Sequence, residues 1–276
     1  MTFAAPARQS APMTNAPIAT ALIADDEAGP RALLAGALAE FWPQLRIVAE
    51  AASGTDAWDA WLEHEPQLCF LDIRMPGFTG IEVAQRIGAR AEIVFVSAPG
   101  DHALAAFDVA GVDYLLRPIG GPALRAAVER LQARLGGPAA PAAGGPHALL
   151  ERLAGQVRKP APLDVIEAGV RAGQRLVRVA DVVFFEADAR ATRVVLAEGE
   201  FSVRTPLREL LAELDPVAFW QVHRGVVVNR RHIADVLRLP DGGMALALHG
   251  RAERLPVARA FQALFDGPAL SPVPSP

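Results

Sequence analysis

The chain has 276 residues, is 51% apolar, and sets 27 Lys and Arg against 31 Asp and Glu for a formal net charge of −4. That length holds two domains of ordinary size, and the apolar share excludes a chain too polar to build a core. One cysteine, Cys69, excludes an internal disulfide, and no apolar run reaches the roughly 18 residues a membrane-spanning helix needs.

Residues 1–17, rich in Ala, Pro and Ser, lack the apolar stretch of a signal peptide. They are expected to be a disordered extension of a cytoplasmic protein that has no membrane partner. Residues 18–135 then alternate apolar runs of about five residues with amphipathic stretches, the pattern of an α/β doubly wound parallel sheet. The run from Ile18 to Ala24 ends in Asp25 and Asp26. Pro30 to Phe41 reads as a helix, and Ser53-Gly54-Thr55-Asp56 as a capping box opening the helix that carries Trp58, Trp61 and Leu62. Two tryptophans at that spacing read as core or interface packing. Leu68 to Leu71 is a buried strand delivering Asp72 to a Pro76-Gly77 turn, with Cys69 a small buried hydrophobe inside it. A third run, Ile93 to Val96, ends in Ser97. A fourth, Tyr114 to Leu116, ends in Arg117-Pro118, and Gly121 to Leu135 closes this part as a helix faced by Leu124, Val128 and Leu131.

Residues 136–162 hold two Gly-Gly-Pro triplets, an Ala-Ala-Pro and Lys159-Pro160-Ala161-Pro162 around a short helical piece from His147 to Val157. This composition is a linker. From 163 to 266 the pattern turns to short β-type runs, with Asp241-Gly242-Gly243 as a hairpin turn. One helix is expected there, with Thr205 as N-cap, Pro206 at its first position, and Leu207, Leu210, Leu211 and Leu214 on its face. Residues 267–276 are expected to be a disordered tail.

Charge is distributed unevenly. Residues 18–135 hold 9 Arg against 16 acids, a net of −7, whereas 163–266 hold 14 of each. A neutral module gains little long-range attraction to nucleic acid, so any DNA contact must come from locally clustered arginines. Lys159 is the single lysine of the chain.

Strand ends bearing acid, acid, hydroxyl and cation make a phosphoryl site. An aspartate can accept a phosphoryl group as an acyl phosphate, but clustered carboxylates repel the incoming charge. A hard divalent cation such as Mg²⁺ relieves that repulsion by taking carboxylates and phosphate oxygens together. Asp25, Asp26 and Asp72 are thus candidate metal ligands, and Asp72 is also the candidate acceptor. Ser97 would donate a hydrogen bond to a phosphoryl oxygen, and Arg117 would pair with its charge. A phosphatase built on Asp72 is disfavoured, because such enzymes place a second Asp two residues later and this chain has Arg74.

These stretches resemble the receiver domain of two-component response regulators, a flavodoxin-like fold. The resemblance rests on Ile23 to Glu27, Leu71 to Gly77 and Asp113 to Pro118. It implies that the backbone carbonyl of Arg74 binds the metal, that Ser97 and Tyr114 act as switch residues, and that a sensor histidine kinase donates the phosphoryl group. One position departs, since Arg117 stands where such receivers carry a lysine. A planar guanidinium fork has a different reach from a compact ammonium.

Leu163 to Phe265 is similar to the LytTR DNA-binding domain, a mainly β module. The matching residues are Val179 to Ala187, His223 to Asn229 and Leu255 to Arg259. The resemblance implies contact with double-stranded DNA by Thr192, Arg193, Arg224 and Arg259, with Arg230, Arg231 and His232 adding positive charge beside phosphate. His223 and Asn229 are expected to be structural. Gly225 and Ala258 stand where the family has Ser. Together the two resemblances imply a non-enzymatic, homodimeric transcription factor of the LytR/AlgR kind, in which phosphorylation of Asp72 controls dimerisation and DNA binding. The alternative is a phosphorylation-independent DNA-binding regulator with a degenerate receiver.

Overall fold

The computed structural model describes residues 19–98, 113–136, 161–170, 173–189 and 191–265. The expected extension, linker helix and tail, and the side chain of Ser97, lie outside them. Among the described residues no helix is long and apolar enough to cross a membrane.

The first domain is a five-stranded parallel sheet in the order β2-β1-β3-β4-β5. Its strands are β1 (Thr20–Ala24), β2 (Arg46–Ala51), β3 (Leu68–Asp72), β4 (Glu92–Ser97) and β5 (Asp113–Leu116). Every residue of β3 is buried, because helices cover both faces of the sheet. One side is closed by α1 (Ala28–Phe41) and α4 (Gly121–Gly136), through Leu34, Leu38, Leu124 and Val128. The other is closed by α2 (Gly54–His64) and α3 (Gly80–Ile87), through Trp58, Trp61, Ile81 and Ile87.

Helix starts are set by short polar side chains. Ser53 caps α2 by accepting from the Asp56 N–H, but the Asp56 carboxylate takes the Ser53 hydroxyl and does not reach back to the cap backbone. The capping box expected at Ser53 is therefore only half made. A complete one, not expected from the sequence, opens α3, where Thr79 and Glu82 each bond the other's backbone N–H. At the far end of the sheet the buried Asp113 receives Arg130 and Arg134 from α4, which ties that helix to β5.

The second domain is mainly β. Its first hairpin is β6 (Val165–Val170) with β7 (Gly173–Arg178). A five-stranded antiparallel sheet runs in the order β10-β9-β8-β12-β11. It comprises β8 (Val182–Asp188), β9 (Ala191–Leu196), β10 (Glu200–Val203), β11 (Phe219–His223) and β12 (Val226–Asn229). A three-stranded meander follows: β13 (Ile233–Arg238), β14 (Met244–Leu248) and β15 (Arg251–Val257). The β13–β14 turn is the expected one, with Gly242 at φ +81 and the Asp241 carboxylate accepting from the Gly243 N–H at 2.9 Å. The one described α-helix here, α5 (Leu207–Glu213), has Pro206 and not Thr205 at its N-cap and no side-chain cap bond. Thr205 offers its carbonyl to the Thr192 hydroxyl, at 2.7 Å.

The two domains meet along α2. The Trp58 indole N–H donates to Gln221 Oε1 at 2.6 Å, and its ring meets Phe261 edge-on with centroids 5.9 Å apart. Trp58 and Trp61 stack at 5.5 Å with 3° between planes, and both are buried. The expectation of core or interface packing for this pair therefore holds. Two close backbone approaches fix α2 against the turn that follows Asp72. The Gly54 N–H donates to the Pro76 carbonyl at 3.0 Å, and a Cβ on Gly54 would lie 1.7 Å from the Phe78 carbonyl oxygen. Gly54→Ala must push one backbone segment away, so it is expected to cost at least about 1–3 kcal/mol of stability by urea denaturation.

Candidate phosphoryl site and arginine face

The sheet order reverses direction between β1 and β3, so their C-terminal ends face one crevice. Asp25, Asp26 and Asp72 converge there, each offering a carboxylate oxygen within 4.8 Å of the others. Asp25 and Asp72 are buried, whereas Asp26 is exposed. Three hard oxygen donors fit a hard divalent cation. Repulsion makes some cation necessary, since two like charges about 4 Å apart cost roughly 4 kcal/mol at an effective dielectric of about 20.

Part of that positive charge comes from the chain itself. Arg117, just after β5, hydrogen-bonds the Asp25 carboxylate and lies 3.6 Å from Asp72 Oδ1 and 4.0 Å from Glu27. Its side chain is only 18% exposed, and its Nε is buried without a hydrogen-bond partner. The residue departing from the receiver pattern thus reaches the acidic centre and pairs with two of its three carboxylates. Asp25 is further held by the Glu27 N–H, at 2.9 Å.

Burial pushes the Asp72 carboxyl up to about 6; Arg117 opposes that shift, Asp25 adds to it, and the N–H groups of Arg74 and Ile73 oppose it again. Those two N–H groups orient Asp72 at the strand end. Arg74 itself is exposed, and Tyr114 is half-buried on β5 beside Phe95 of β4. Ser97 ends β4 as expected, one position beyond the partner of Asp72. Cys69 is wholly buried, which raises its thiol pKa and leaves it chemically quiet.

In the β module the expected DNA contacts divide. Thr192 is fully buried with its hydroxyl committed to the Thr205 carbonyl, so it cannot reach DNA. Arg193 is bonded to Glu186 at 2.7 Å and to Glu200 at 2.7 Å, with Glu253 at 3.5 Å. Three carboxylates neutralise it, and their pull raises its pKa further. A phosphate would have to displace them, which speaks against a DNA contact at Arg193, whereas burial removes Thr192 from any contact. The three acids come from β8, β10 and β15, and pairing across strands brings them together.

Arg224, in the β11–β12 turn, and Arg259, after β15, are exposed. Arg230 lies 5.0 Å over the Trp220 ring, and Arg231 beside it is exposed. His223 accepts the Gly225 N–H at Nδ1, and buried Asn229 donates to the Ala180 and Val182 carbonyls. Both are structural, as expected.

Residues 21–129 match the model of the response regulator receiver domain, and 172–267 that of the LytTr DNA-binding domain. An uncharacterized response regulatory protein of Vibrio cholerae is 38% identical over 255 residues, covering 89% of this chain and 97% of its own. The positive alginate biosynthesis regulatory protein of Pseudomonas aeruginosa is 31% identical over 237 residues, covering 83% and 90%. Among solved structures, the receiver domain of a Geobacillus stearothermophilus response regulator is 27% identical, spanning 43% of this chain and 95% of its own, at a TM-score of 0.39.

The raised pKa of Asp72 carries a stability signature. Its folded value of about 6 exceeds the ordinary 3.8, so the folded state favours the protonated form. That contribution is complete below about pH 4 and is lost as pH rises through 6. Asp72→Asn should therefore stabilise the metal-free chain at pH 7 by about 1–3 kcal/mol, with the gain vanishing near pH 4. Urea unfolding of both chains across that range checks it.

Proposed function

The chain belongs to the response regulators that join a receiver to a LytTR DNA-binding domain, and from that premise we propose that phosphoryl transfer to Asp72 controls its DNA binding. The observation carrying this reading is the convergence of Asp25, Asp26 and Asp72 at one sheet edge, with two backbone N–H groups aiming Asp72. In the transfer, an Asp72 carboxylate oxygen attacks the phosphorus of a phosphohistidine on a sensor kinase. The O–P bond forms as the P–N bond breaks, and the electron pair leaves on the imidazole nitrogen, which takes up a proton. Asp25, Asp26, Asp72 and the Arg74 carbonyl would hold Mg²⁺, which when bound supplies positive charge for the phosphoryl oxygens. The Ser97 hydroxyl would donate to one of those oxygens, and Tyr114 would register the change on the β5 side.

Arg117 has two tasks in this reading. Before transfer it neutralises Asp25 and Asp72, and after transfer its fork can pair with the phosphoryl group. The first competes with the second, because Arg117 must release Asp25 for a cation to take the same oxygen. That competition favours a second reading, a regulator that binds DNA without phosphorylation.

For output, Arg224, Arg230 and Arg259 remain the proposed contacts to double-stranded DNA, and the exposure of Arg224 and Arg259 supports the two of them. Phosphate contacts set affinity and base-edge contacts set sequence preference. A homodimer would pair two modules on repeated half-sites.

Two experiments test this. With acetyl phosphate and Mg²⁺, the wild-type chain should gain one phosphoryl mass and Asp72→Asn none. Equal uptake by both refutes Asp72 as acceptor, and a gain in uptake or lifetime in Arg117→Lys identifies Arg117 as the impairment. Arg259→Ala should weaken binding to a selected duplex and lower the log–log salt slope by about 1. Unchanged affinity and slope would leave Arg259 outside the DNA interface.

A further inference from the structure

The receiver's α2–α3 face carries two stacked tryptophans, and the β module covers it. Besides the Trp58–Gln221 bond and the Trp58–Phe261 contact, Arg90 lies 4.3 Å over the Trp61 ring and donates to the Ala260 carbonyl. At the rim, Arg208 of α5 pairs with Asp56 of α2 at 3.1 Å. That pair is half-exposed on both sides, so solvent screening leaves it a weak contribution. The aromatic contacts, the hydrogen bond and the buried indole surface dominate, so the contact is chiefly apolar.

Its position on the module is informative. Gln221 also donates to the Arg224 carbonyl at 3.4 Å, and the Arg224 side chain lines a cleft of about 300 Å³ with Asp59, Trp58 and Arg208. Arg259 immediately precedes Ala260 and Phe261, the residues seated on the receiver. Two of the three proposed DNA-contacting arginines thus flank the very contact that holds the domains together. Asp59 lines the same cleft and feels the Arg224 charge, and the receiver segment 18–135 has a net charge of −7. A duplex approaching Arg224 would meet that acidic domain.

We propose that the α2–α3 face of the receiver is a dock for the DNA-binding module of its own chain, and that docking and DNA binding exclude each other through Arg224 and Arg259. The inference rests on the DNA-binding reading above and adds how that reading is regulated. The dock lies next to the phosphoryl site. Gly54, which opens α2, is in backbone contact with Pro76 and Phe78 of the turn after Asp72, and a Cβ on Gly80 would lie 2.0 Å from the Asp72 carbonyl oxygen. A shift of that turn therefore has to move α2, α3 or both.

The test locks the dock in the full-length chain. Asp56→Cys with Arg208→Cys places two thiols at an exposed rim, and the native Cys69 is buried and does not compete. A short bifunctional thiol reagent with a reducible spacer joins the pair. The probe is a duplex selected from a random pool on the wild-type chain. The expected result is an intramolecular cross-link that weakens duplex binding between about 5- and 150-fold, a common range of coupling between sites, and full recovery on reduction. Trp58→Phe, which removes the indole donor but keeps an aromatic ring, should bind the duplex more tightly than wild type. Equal binding by locked and reduced chains overturns the proposal, as does a cross-link that forms only between two chains. Arg259→Ala measured beside them separates the two failures. If it weakens the reduced chain while the lock does nothing, the dock alone is wrong, and if no form binds DNA, both readings fall.

Discussion

The first domain is organised around a carboxylate placed where the surrounding structure disfavours its charge. Asp72 ends a strand whose every residue is buried, so the strand cannot turn toward solvent before its last position. The acid arrives buried at the edge where Asp25 and Asp26 also lie. Much of the local structure answers that cost. The N–H groups of Ile73 and Arg74 stabilise the carboxylate, and Arg117 reaches across from β5 to pair with Asp25 and Asp72. Burial still prevails, and the Asp72 pKa stays above its ordinary value. An acid in that condition attracts both a cation and an electrophile, which is what a phosphoryl acceptor requires.

The β module manages charge differently. Its acids and arginines balance in number, but their placement does not average out. Glu186, Glu200 and Glu253 enclose Arg193, while Arg224 and Arg259 stand clear of any such enclosure. With no net positive field to draw DNA in, affinity in the proposed reading would depend on locally placed exposed arginines such as these. Under the proposed docking, a duplex reaching for Arg224 and Arg259 would meet the acidic receiver beside them, which adds repulsion to steric exclusion.

One element serves both functions. Helix α2 has its N-terminus wedged against the turn after Asp72, and its body carries Trp58 and Trp61 to the second domain. Interiors packed at this density pass on small displacements instead of absorbing them. Under the proposed reading, that property would let α2 connect phosphorylation chemistry to DNA binding, separately from the route expected at Tyr114.

Much of this was legible in the sequence. The apolar runs ending in Asp25, Asp72, Ser97 and Arg117 located strands whose ends define the site, because a parallel sheet collects those ends at one edge. The hairpin at Asp241-Gly242-Gly243 followed from backbone geometry alone. Local signals failed where a competing side chain or a distant segment made the choice. Asp56 satisfied the Ser53 hydroxyl and so left the capping box incomplete. Thr192 looked like an available hydroxyl, yet strand pairing buried it against the Thr205 carbonyl. Arg193 was neutralised by acids from three strands that no sequence spacing connects. By itself, then, the sequence determined the two folds and the acidic centre, since both depend on local periodicity and on strand ends. Only the tertiary structure decided which arginines remain available and what covers the tryptophan face, because pairing and burial are properties of distant segments brought together.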